Sequence, residues 1–366
     1  MVQRNLSILV PRSTLEIGIP AVRTESMFLS KQLKELYEYS SQIGRDISLT
    51  QGPGGNSSLK CGNTLWVKAS GMWLADAETR PIFCSLNLAE IRNAMDHDSS
   101  GQELEQVIQS ASGNLRPSIE TSLHAALPHT IVIHVHAIDV IAWLVRRSGL
   151  QDTEKLLDGL NWRWVPYRRP GVPLTIAVRA VLDTNPDILL LANHGILIGG
   201  DNVQQVRLRL KEVVRRLSIP QRVVSPGAFR VDEIEIRRLG IFSEMHVPRH
   251  PIIQALANDS TSFALLGVGV LYPDQAVFLG PKINVITAGE DFGKWVTTPD
   301  YLIVEKCGVL VANVVNPAIE EMLAGHAMLL LKLDTKTDLI PLSDQDISAL
   351  VNWDAEAYRQ KVEFRK

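Results

Sequence analysis

The chain has 366 residues, 45% hydrophobic and 21% charged, which is enough for two domains with real hydrophobic cores. Its formal net charge is −3 and it has no basic run with interleaved aromatics, so we expect neither nucleic acid nor a membrane surface as partner. No charge-free apolar stretch reaches the roughly 18 residues of a membrane span, and the three distant cysteines form no CxxC pair, so we expect a cytoplasmic protein.

The first part of the chain shows helical and extended patterns in turn. Apolar spacing predicts helices over residues 26–45 and 100–112. Between them, a loop rich in Gly, Ser and Asn covers 52–58, and residues 65–67 form a predicted strand that ends in Ala69-Ser70-Gly71. Ser118 is then a predicted N-cap for a helix that runs through Glu120 and His124.

The elements that carry histidines come next. Residues 131–136 alternate β-branched side chains with His134 and His136, which suits a strand, and residues 188–191 read as a buried strand. His194-Gly195 forms a turn before a further strand at 196–198. The same patterns predict helices from Val140, from Pro173 to about Leu182, and, capped by Asp201, to about Leu217.

Pro220 and Pro226-Gly227 interrupt these patterns and predict a domain boundary. We therefore divide the chain into an N-terminal extension (1–25), a catalytic domain (26–226) and a C-terminal α+β domain (227–366). Within the last, predicted strands cover 263–272, 276–279, 301–305 and 308–315, and predicted helices cover 317–330 and 346–359.

Three histidines have the placement of metal ligands. His134 and His136 are two apart in a strand and face the same side, and His194 follows the next buried strand at a glycine turn. Three imidazoles with one open position are the pattern of a catalytic zinc site. An isolated HxH pair is more often an ordinary structural feature, and Glu120 alone could be a charge favoured near a helix N-terminus. Beside a metal, Glu120 would be a candidate acid/base.

The order of these pieces resembles the class II aldolase/adducin family, over about residues 26–220. The succession is the GGNSS loop, Lys68-Ala69-Ser70-Gly71, RPSIETSLHAALPH, HVH and NHG, and it is most similar to the aldolase part of long bacterial rhamnulose-phosphate aldolase-like proteins. The resemblance implies a three-layer α/β/α sandwich with a mostly antiparallel central sheet, here with a smaller C-terminal α+β domain. It also implies a homotetramer with active sites between subunits.

The resemblance also implies a role for each matching residue. A zinc ion, or another divalent transition metal, would bind His134, His136 and His194, with Glu120 as acid/base. Backbone and side-chain donors of the glycine-rich loop and of the Ser-Gly pair would hold a small carbohydrate-like substrate and its phosphate or equivalent anion; these are Gly55, Asn56, Ser57, Ser70, Gly71 and Ser118. Tyr167 is the candidate for the tyrosine that protonates the leaving carbonyl from a neighbouring subunit.

The function expected from this set is a zinc-dependent aldolase that cleaves a ketose through a metal-stabilised enediolate. Alternatives on the same scaffold are an epimerase, a dehydratase, a decarboxylase or a non-catalytic adducin-like assembly module. Ile119 replaces a serine that the short sugar-phosphate aldolases have, which weakens the case for a phosphorylated substrate. No GxGxxG opens a βαβ unit, so the dehydrogenase of the long proteins is not expected, and residues 227–366 either close over the site or widen the subunit contacts.

Overall fold

The structure is a computed structural model that describes residues 19–97, 101–110, 115–232, 244–287, 290 and 298–363, with side chains described from residue 29 to residue 361 within these ranges. Most of the predicted N-terminal extension, up to residue 18, lies outside them. The strands are β1 (Asn56–Cys61), β2 (Thr64–Lys68), β3 (Phe83–Asn87), β4 (Ile131–Val135), β5 (Trp162–Val165), β6 (Ile188–Leu191), β7 (Gly195–Gly200), β8 (Met245–His246), β9 (Val285–Ile286), β10 (Tyr301–Val304) and β11 (Gly308–Ala312).

The α-helices in this part of the chain are α1 (Ile19–Gly44), α2 (Leu88–His97), α3 (Gln102–Ser110), α4 (Thr121–Ala126), α5 (Ile138–Leu144), α6 (Gly149–Leu156), α7 (Val172–Arg179), α8 (Val203–Arg216), α9 (Ala255–Asn258), α10 (Ser260–Leu265), α11 (Ala318–Leu330), α12 (Asp344–Val351) and α13 (Asp354–Glu363). Short 3₁₀ turns and one π-helical turn, Gln275–Leu279, join them. None of these described helices is both long and apolar enough to cross a bilayer.

The main sheet has seven strands in the order β3-β2-β1-β4-β7-β6-β5, and only the β5–β6 pair is parallel. Successive residues of a strand face opposite sides. In β4, Ile131 and Ile133 therefore pack with α1 and α8, whereas Val132 packs with α4 and α7. Helices cover both faces, which confirms the predicted three-layer sandwich with a mostly antiparallel sheet.

The smaller C-terminal α+β region is also confirmed. Its sheet has the order β8-β11-β10-β9, and α11 shares a hydrophobic core cluster with Ile303 of β10 and Val309 of β11. One hydrophobic core cluster joins Ile138 and Ile141 of α5 to Leu323 and Leu330 of α11. Because α5 directly follows the HVH strand, the C-terminal region packs close to the predicted metal ligands.

Two predicted strands of this region are wrong. Residues 263–268 fall in α10 and a 3₁₀ turn, 269–272 lie in neither a helix nor a strand, and 276–279 fall in the π-helical turn. Ala276, Val277, Phe278 and Leu279 are all buried, so this turn has no polar face to give a helical period. The predicted helix at 346–359 is two helices, α12 and α13, which meet at Asn352-Trp353.

Two predicted helix caps are wrong as well, and some strands were not predicted. α4 begins after Glu120 rather than at Ser118, and Asn202 instead of Asp201 caps α8 by accepting a hydrogen bond from the Gln205 N–H. β1 begins inside the stretch that glycine and serine predicted to be a loop, and β3 and β5 carried no clear alternating signal. The polar side chains of β1 are buried together with hydrogen-bond partners: Asn56 and Ser58 bond His124, Ser57 bonds Ser40, and Lys60 donates to the His129 carbonyl.

Candidate metal centre

One end of the main sheet gathers the three histidines. His134 lies near the end of β4, and His136 follows that strand. β7 runs antiparallel to β4, so the turn before β7, which carries His194, lies beside the end of β4. On the other side of β4, Asn56 at the start of β1 pairs with His134. Segments that are distant in the sequence therefore meet at one point.

Two glycines permit this close approach. A Cβ atom at Gly195 would lie 2.6 Å from the Val135 carbonyl oxygen. Gly55 has a φ of +65°, and a Cβ there would lie 2.7 Å from the His134 carbonyl oxygen. Any larger residue would push the His194 turn or the start of β1 away from β4.

The imidazoles converge in the interior. The ring centroid of His134 lies 4.8 Å from that of His136 and 4.8 Å from that of His194, and the last two centroids are 5.2 Å apart. None of the three residues is more than 5% exposed. The Nε2 atoms of His134 and His136 are 3.0 Å apart. These three residues form a group whose ligand atoms all lie within 4.8 Å of one another.

The partners of the outer ring nitrogens set the orientation of two rings. The Nδ1–H of His134 donates to the Ile196 carbonyl at 3.0 Å, and the Nδ1–H of His136 donates to Asp274 Oδ2 at 3.0 Å. Their Nε2 lone pairs therefore point at each other. Burial lowers the pKa of His134 and of His194, which favours the neutral form that binds metals. A cation shared by the rings would remove the repulsion between the lone pairs.

Glu120 stands beside the rings at the N-cap of α4. Its Oε1 lies 3.4 Å from His194 Nε2, and its Oε2 lies 3.5 Å from His134 Nε2. Asn56 Nδ2 donates to Oε2 at 2.8 Å, whereas the buried Oε1 has no hydrogen-bond partner among the described residues. Burial alone would raise the pKa of Glu120, but the histidines and Asn56 outweigh it and hold this pKa below its ordinary value. Glu120 is therefore a carboxylate with one oxygen available.

A buried chain of hydrogen bonds fixes Asn56 and, through it, Glu120. His124 on α4 lies 2.7 Å from Ser58 Oγ through Nδ1 and contacts Asn56 Oδ1 through Nε2. Burial lowers the pKa of His124 to about 3, so the ring is neutral. Its Nε2–H donates to Asn56, and its Nδ1 accepts from the Ser58 hydroxyl. With Oδ1 so occupied, the Asn56 amide must present its NH₂ group to Glu120.

A cavity of about 30 Å³ opens beside Glu120, His136 and His194. This volume has room for roughly two water molecules. Most of the residues that were expected to bind substrate line it, namely Gly55, Asn56, Ser70, Gly71 and Ser118. The fold thus brings these residues together with the candidate metal ligands.

Ser57 and Tyr167 do not line this cavity. Ser57 faces the other side of β1, where its Oγ lies 2.7 Å from Ser40 Oγ on α1. Tyr167 packs against the core cluster that α5 and α11 share, and its buried hydroxyl has no hydrogen-bond partner in the part of the chain that the structure describes. Burial raises the pKa of this hydroxyl. The expected roles of both residues remain predictions.

Four lining residues come from the C-terminal region, where the sequence indicated no site: Pro273, Asp274, Glu356 and Arg359. No spacing or motif links them to the histidines, so sequence reasoning missed them. Lys68 also lines the cavity, and its Nζ donates to the carbonyls of Pro53 at 2.9 Å and Met72 at 2.6 Å.

The donor set fits a divalent transition metal. Imidazole nitrogens are ligands for zinc, iron, copper and nickel. The unpartnered Glu120 Oε1 lies 3.4 Å from His194 Nε2. His134, His136 and His194 would hold the ion, with Glu120 next to it.

A model of the class II aldolase and adducin N-terminal domain matches residues 34–219, about half of the chain. The chain is 32% identical over 188 residues to the uncharacterized oxidoreductase YuxG of Bacillus subtilis (strain 168), a match that covers 47% of this chain and 27% of that protein. It is 28% identical over 184 residues to a probable bifunctional methylthioribose-1-phosphate isomerase/methylthioribulose-1-phosphate dehydratase of Nocardia farcinica (strain IFM 10152), covering 43% of this chain and 30% of that one.

Among solved structures, the chain is similar to the N-terminal class II aldolase domain of a conserved protein from Thermoplasma acidophilum. The sequence identity is 24% and the TM-score 0.44, and the match covers 58% of this chain and 98% of that domain. By contrast, this chain spans less than a third of the length of either sequence relative named above.

Proposed function

Since the chain belongs to the class II aldolase and adducin family, we propose that it is a zinc-dependent aldolase that cleaves a sugar or sugar-phosphate-like ketose. The observation that carries this proposal is the convergence of three buried imidazoles beside a carboxylate with an unpartnered oxygen. An adducin-like assembly module without catalysis would have no need of that arrangement. As part of the same proposal, the protein acts in the cytoplasm as a homotetramer. Its free cysteines, Cys61, Cys84 and Cys307, are consistent with a reducing compartment.

When bound, the cation supplies Lewis-acid polarisation of the substrate oxygens and stabilises the charge of an enediolate. Glu120 moves the proton. As a carboxylate it takes the proton from the substrate hydroxyl whose oxygen becomes the aldehyde carbonyl. The electrons of the broken carbon–carbon bond pass to the other fragment, and Glu120 returns the proton to that carbon. Asn56 keeps Oε2 of Glu120 fixed, so that the unpartnered Oε1 faces the substrate.

The part of the substrate that enters this small cavity would lie against the donors that line it. Backbone N–H groups near Gly55 and Gly71 and the hydroxyls of Ser70 and Ser118 are suited to oxygens and to an anionic group. Ile119 offers no hydroxyl at the same wall. An unphosphorylated or differently charged ketose therefore belongs in the substrate panel beside ketose phosphates.

A dehydratase is the second candidate, because the Nocardia farcinica relative carries that name. In this reaction Glu120 would take a proton from a substrate carbon instead of from a hydroxyl. A hydroxide would then leave the neighbouring carbon. The products separate the two functions, since an aldolase yields an aldehyde and a dehydratase yields water without chain cleavage.

The test uses the purified full chain. We expect about one zinc or similar ion per chain by metal analysis, and aldehyde release from one member of a panel of ketose phosphates, free ketoses and 2-keto acids. Glu120→Gln should retain the metal and lose about 100-fold to 10,000-fold in turnover, the usual contribution of an acid/base group. Glu321→Gln, which alters a carboxylate that bonds His250 and does not line the cavity, is the control. Metal-free protein, or full activity in Glu120→Gln, would contradict the proposal.

A further inference from the structure

The outer side of His136 faces a carboxylate from the C-terminal region. Asp274 Oδ2 lies 3.0 Å from His136 Nδ1, and Asp274 is only 3% exposed. Asp274 immediately precedes the π-helical turn, far beyond the residues that match the family model. A ligand histidine that donates its other N–H to a carboxylate has its tautomer and ring orientation fixed and becomes a stronger electron donor.

Arg359 on α13 holds this carboxylate with a two-pronged contact. Its Nη1 lies 2.6 Å from Asp274 Oδ1, and its Nη2 lies 2.9 Å from Asp274 Oδ2. The same guanidinium lies 3.2 Å from Glu356 Oε2 and stacks 5.1 Å from the centre of the Phe278 ring. A buried carboxylate requires such compensation, and a planar fork restricts its rotation. Asp274 therefore has little freedom to turn away from His136.

The other two rings lack a comparable partner. His134 donates to a neutral backbone carbonyl, and His194 Nδ1 has no hydrogen-bond partner within the described ranges. Asp274 is thus the charged acceptor at the outer side of this group of rings.

The turn that carries His194 is tied to the same C-terminal segment. Asn193 has a φ of +54°, and its Nδ2 donates to the carbonyls of Leu271 at 2.9 Å and Ile340 at 2.7 Å. Leu271 lies three residues before Asp274. One short segment therefore anchors both His194, through its neighbour, and His136, directly.

We propose that Asp274 is a positioning residue that orients His136 as a metal ligand, and that Arg359 keeps it there, so the C-terminal region completes the metal centre. This inference rests on the proposed metal binding but not on the aldolase reaction. It predicts that metal affinity depends on residues outside the family domain. His136 would be misaligned, and a weaker donor, without the Asp274 charge.

The test is zinc affinity, measured by chelator competition on the full chain, together with the visible spectrum of the cobalt-substituted protein, which reports ligand geometry. Asp274→Asn preserves shape but removes the charge, and we expect affinity to fall about 10-fold to 100-fold, with an altered cobalt spectrum. The matched control is Glu320→Gln. Glu320 is also buried and also bonds a histidine and an arginine, His246 and Arg249, but it does not line the cavity.

Unchanged zinc affinity and cobalt spectrum in Asp274→Asn would overturn the inference, as would an equal loss in Glu320→Gln. If Asp274→Asn fails to fold, Arg359→Lys decides, because it keeps the positive charge but removes the fork. We expect it to bind zinc more weakly than the parent chain, and parental affinity would overturn the inference. A parent chain that binds no metal refutes this inference and the proposed function together, whereas one that binds metal but cleaves no substrate refutes only the aldolase.

Discussion

Two groups of histidines in this chain bond their carboxylate or carbonyl partners through different ring nitrogens. In the metal centre, the Ile196 carbonyl and Asp274 bond the Nδ1 atoms of His134 and His136, and the Nε2 atoms turn inward together. At the start of α11, the carboxylates bond the Nε2 atoms instead. His246 Nε2 lies 3.0 Å from Glu320, and His250 Nε2 lies 3.0 Å from Glu321.

Exposure separates the two groups further. The side chains of His246 and His250 are 41% and 37% exposed, whereas those of the central histidines are nearly inaccessible. The histidines at the start of α11 thus contact separate carboxylates, whereas those of the metal centre converge on one point. A metal site therefore depends on the partners that orient each ring as much as on the histidines themselves.

His134 is the most buried of the three candidate metal ligands. His134→Ala should remove bound zinc and turnover together, a greater loss than the about 100-fold that outer partners usually cause. His250→Ala, the matched change in the group formed by His246, His250, Glu320 and Glu321, should leave one ion per chain and parental turnover. Metal analysis and the substrate assay measure both. His134→Ala with stoichiometric zinc and full turnover would remove the distinction between the two groups.

A smaller effect is expected from the hydrogen-bond chain behind Glu120. His124→Phe removes the N–H that bonds Asn56 Oδ1. The Asn56 amide can then rotate, and Glu120 loses the hydrogen bond that orients its carboxylate. Turnover should fall by up to about 100-fold, the scale of an ångström-sized misplacement, while zinc content stays unchanged. Ser58→Ala removes only the bond to Nδ1 and should cost less. The order of the two losses in kcat checks the prediction, and equal, parental values would show that Asn56 needs no such support.

Much of the centre was predictable because its signals are local. His134 and His136 share a strand whose alternation is visible in the sequence, and Gly195 marks the turn that presents His194. Helix α1 and helix α11 were likewise predicted from their apolar spacing. The family resemblance added what spacing alone could not, which was that Glu120 and the two histidine segments belong to one site.

The rest depends on contacts between distant segments. Asp274 and Arg359 approach His136 only after the C-terminal region has packed on α5, and a single aspartate after a proline carries no mark of that contact. The π-helical turn next to Asp274 was predicted as a strand because every one of its residues is apolar or buried. Ser57 was assigned to substrate by its position in a motif, although the pleat of β1 turns it to the opposite face from Asn56.

At the carboxylates at the start of α11, we expect charge to affect the stability of the fold rather than metal binding. Burial alone would raise the pKa of Glu320, but the N–H donors of Arg249 and His246 outweigh it and lower this pKa from the ordinary 4.5. A carboxylate with a lowered folded-state pKa stabilises the fold above the unfolded-state value, and this contribution disappears as pH falls through the folded-state value.

Glu320→Gln should therefore lower the free energy of unfolding by about 1 kcal/mol at pH 7, the scale of a partly exposed ion pair. The difference from the parent chain should shrink as the pH is lowered below about 4.5, because the parent then loses the same contribution. Urea unfolding at several pH values measures this, with zinc removed so that metal release does not contribute. If the difference is constant across this range, Glu320 stabilises the fold through packing rather than through its charge.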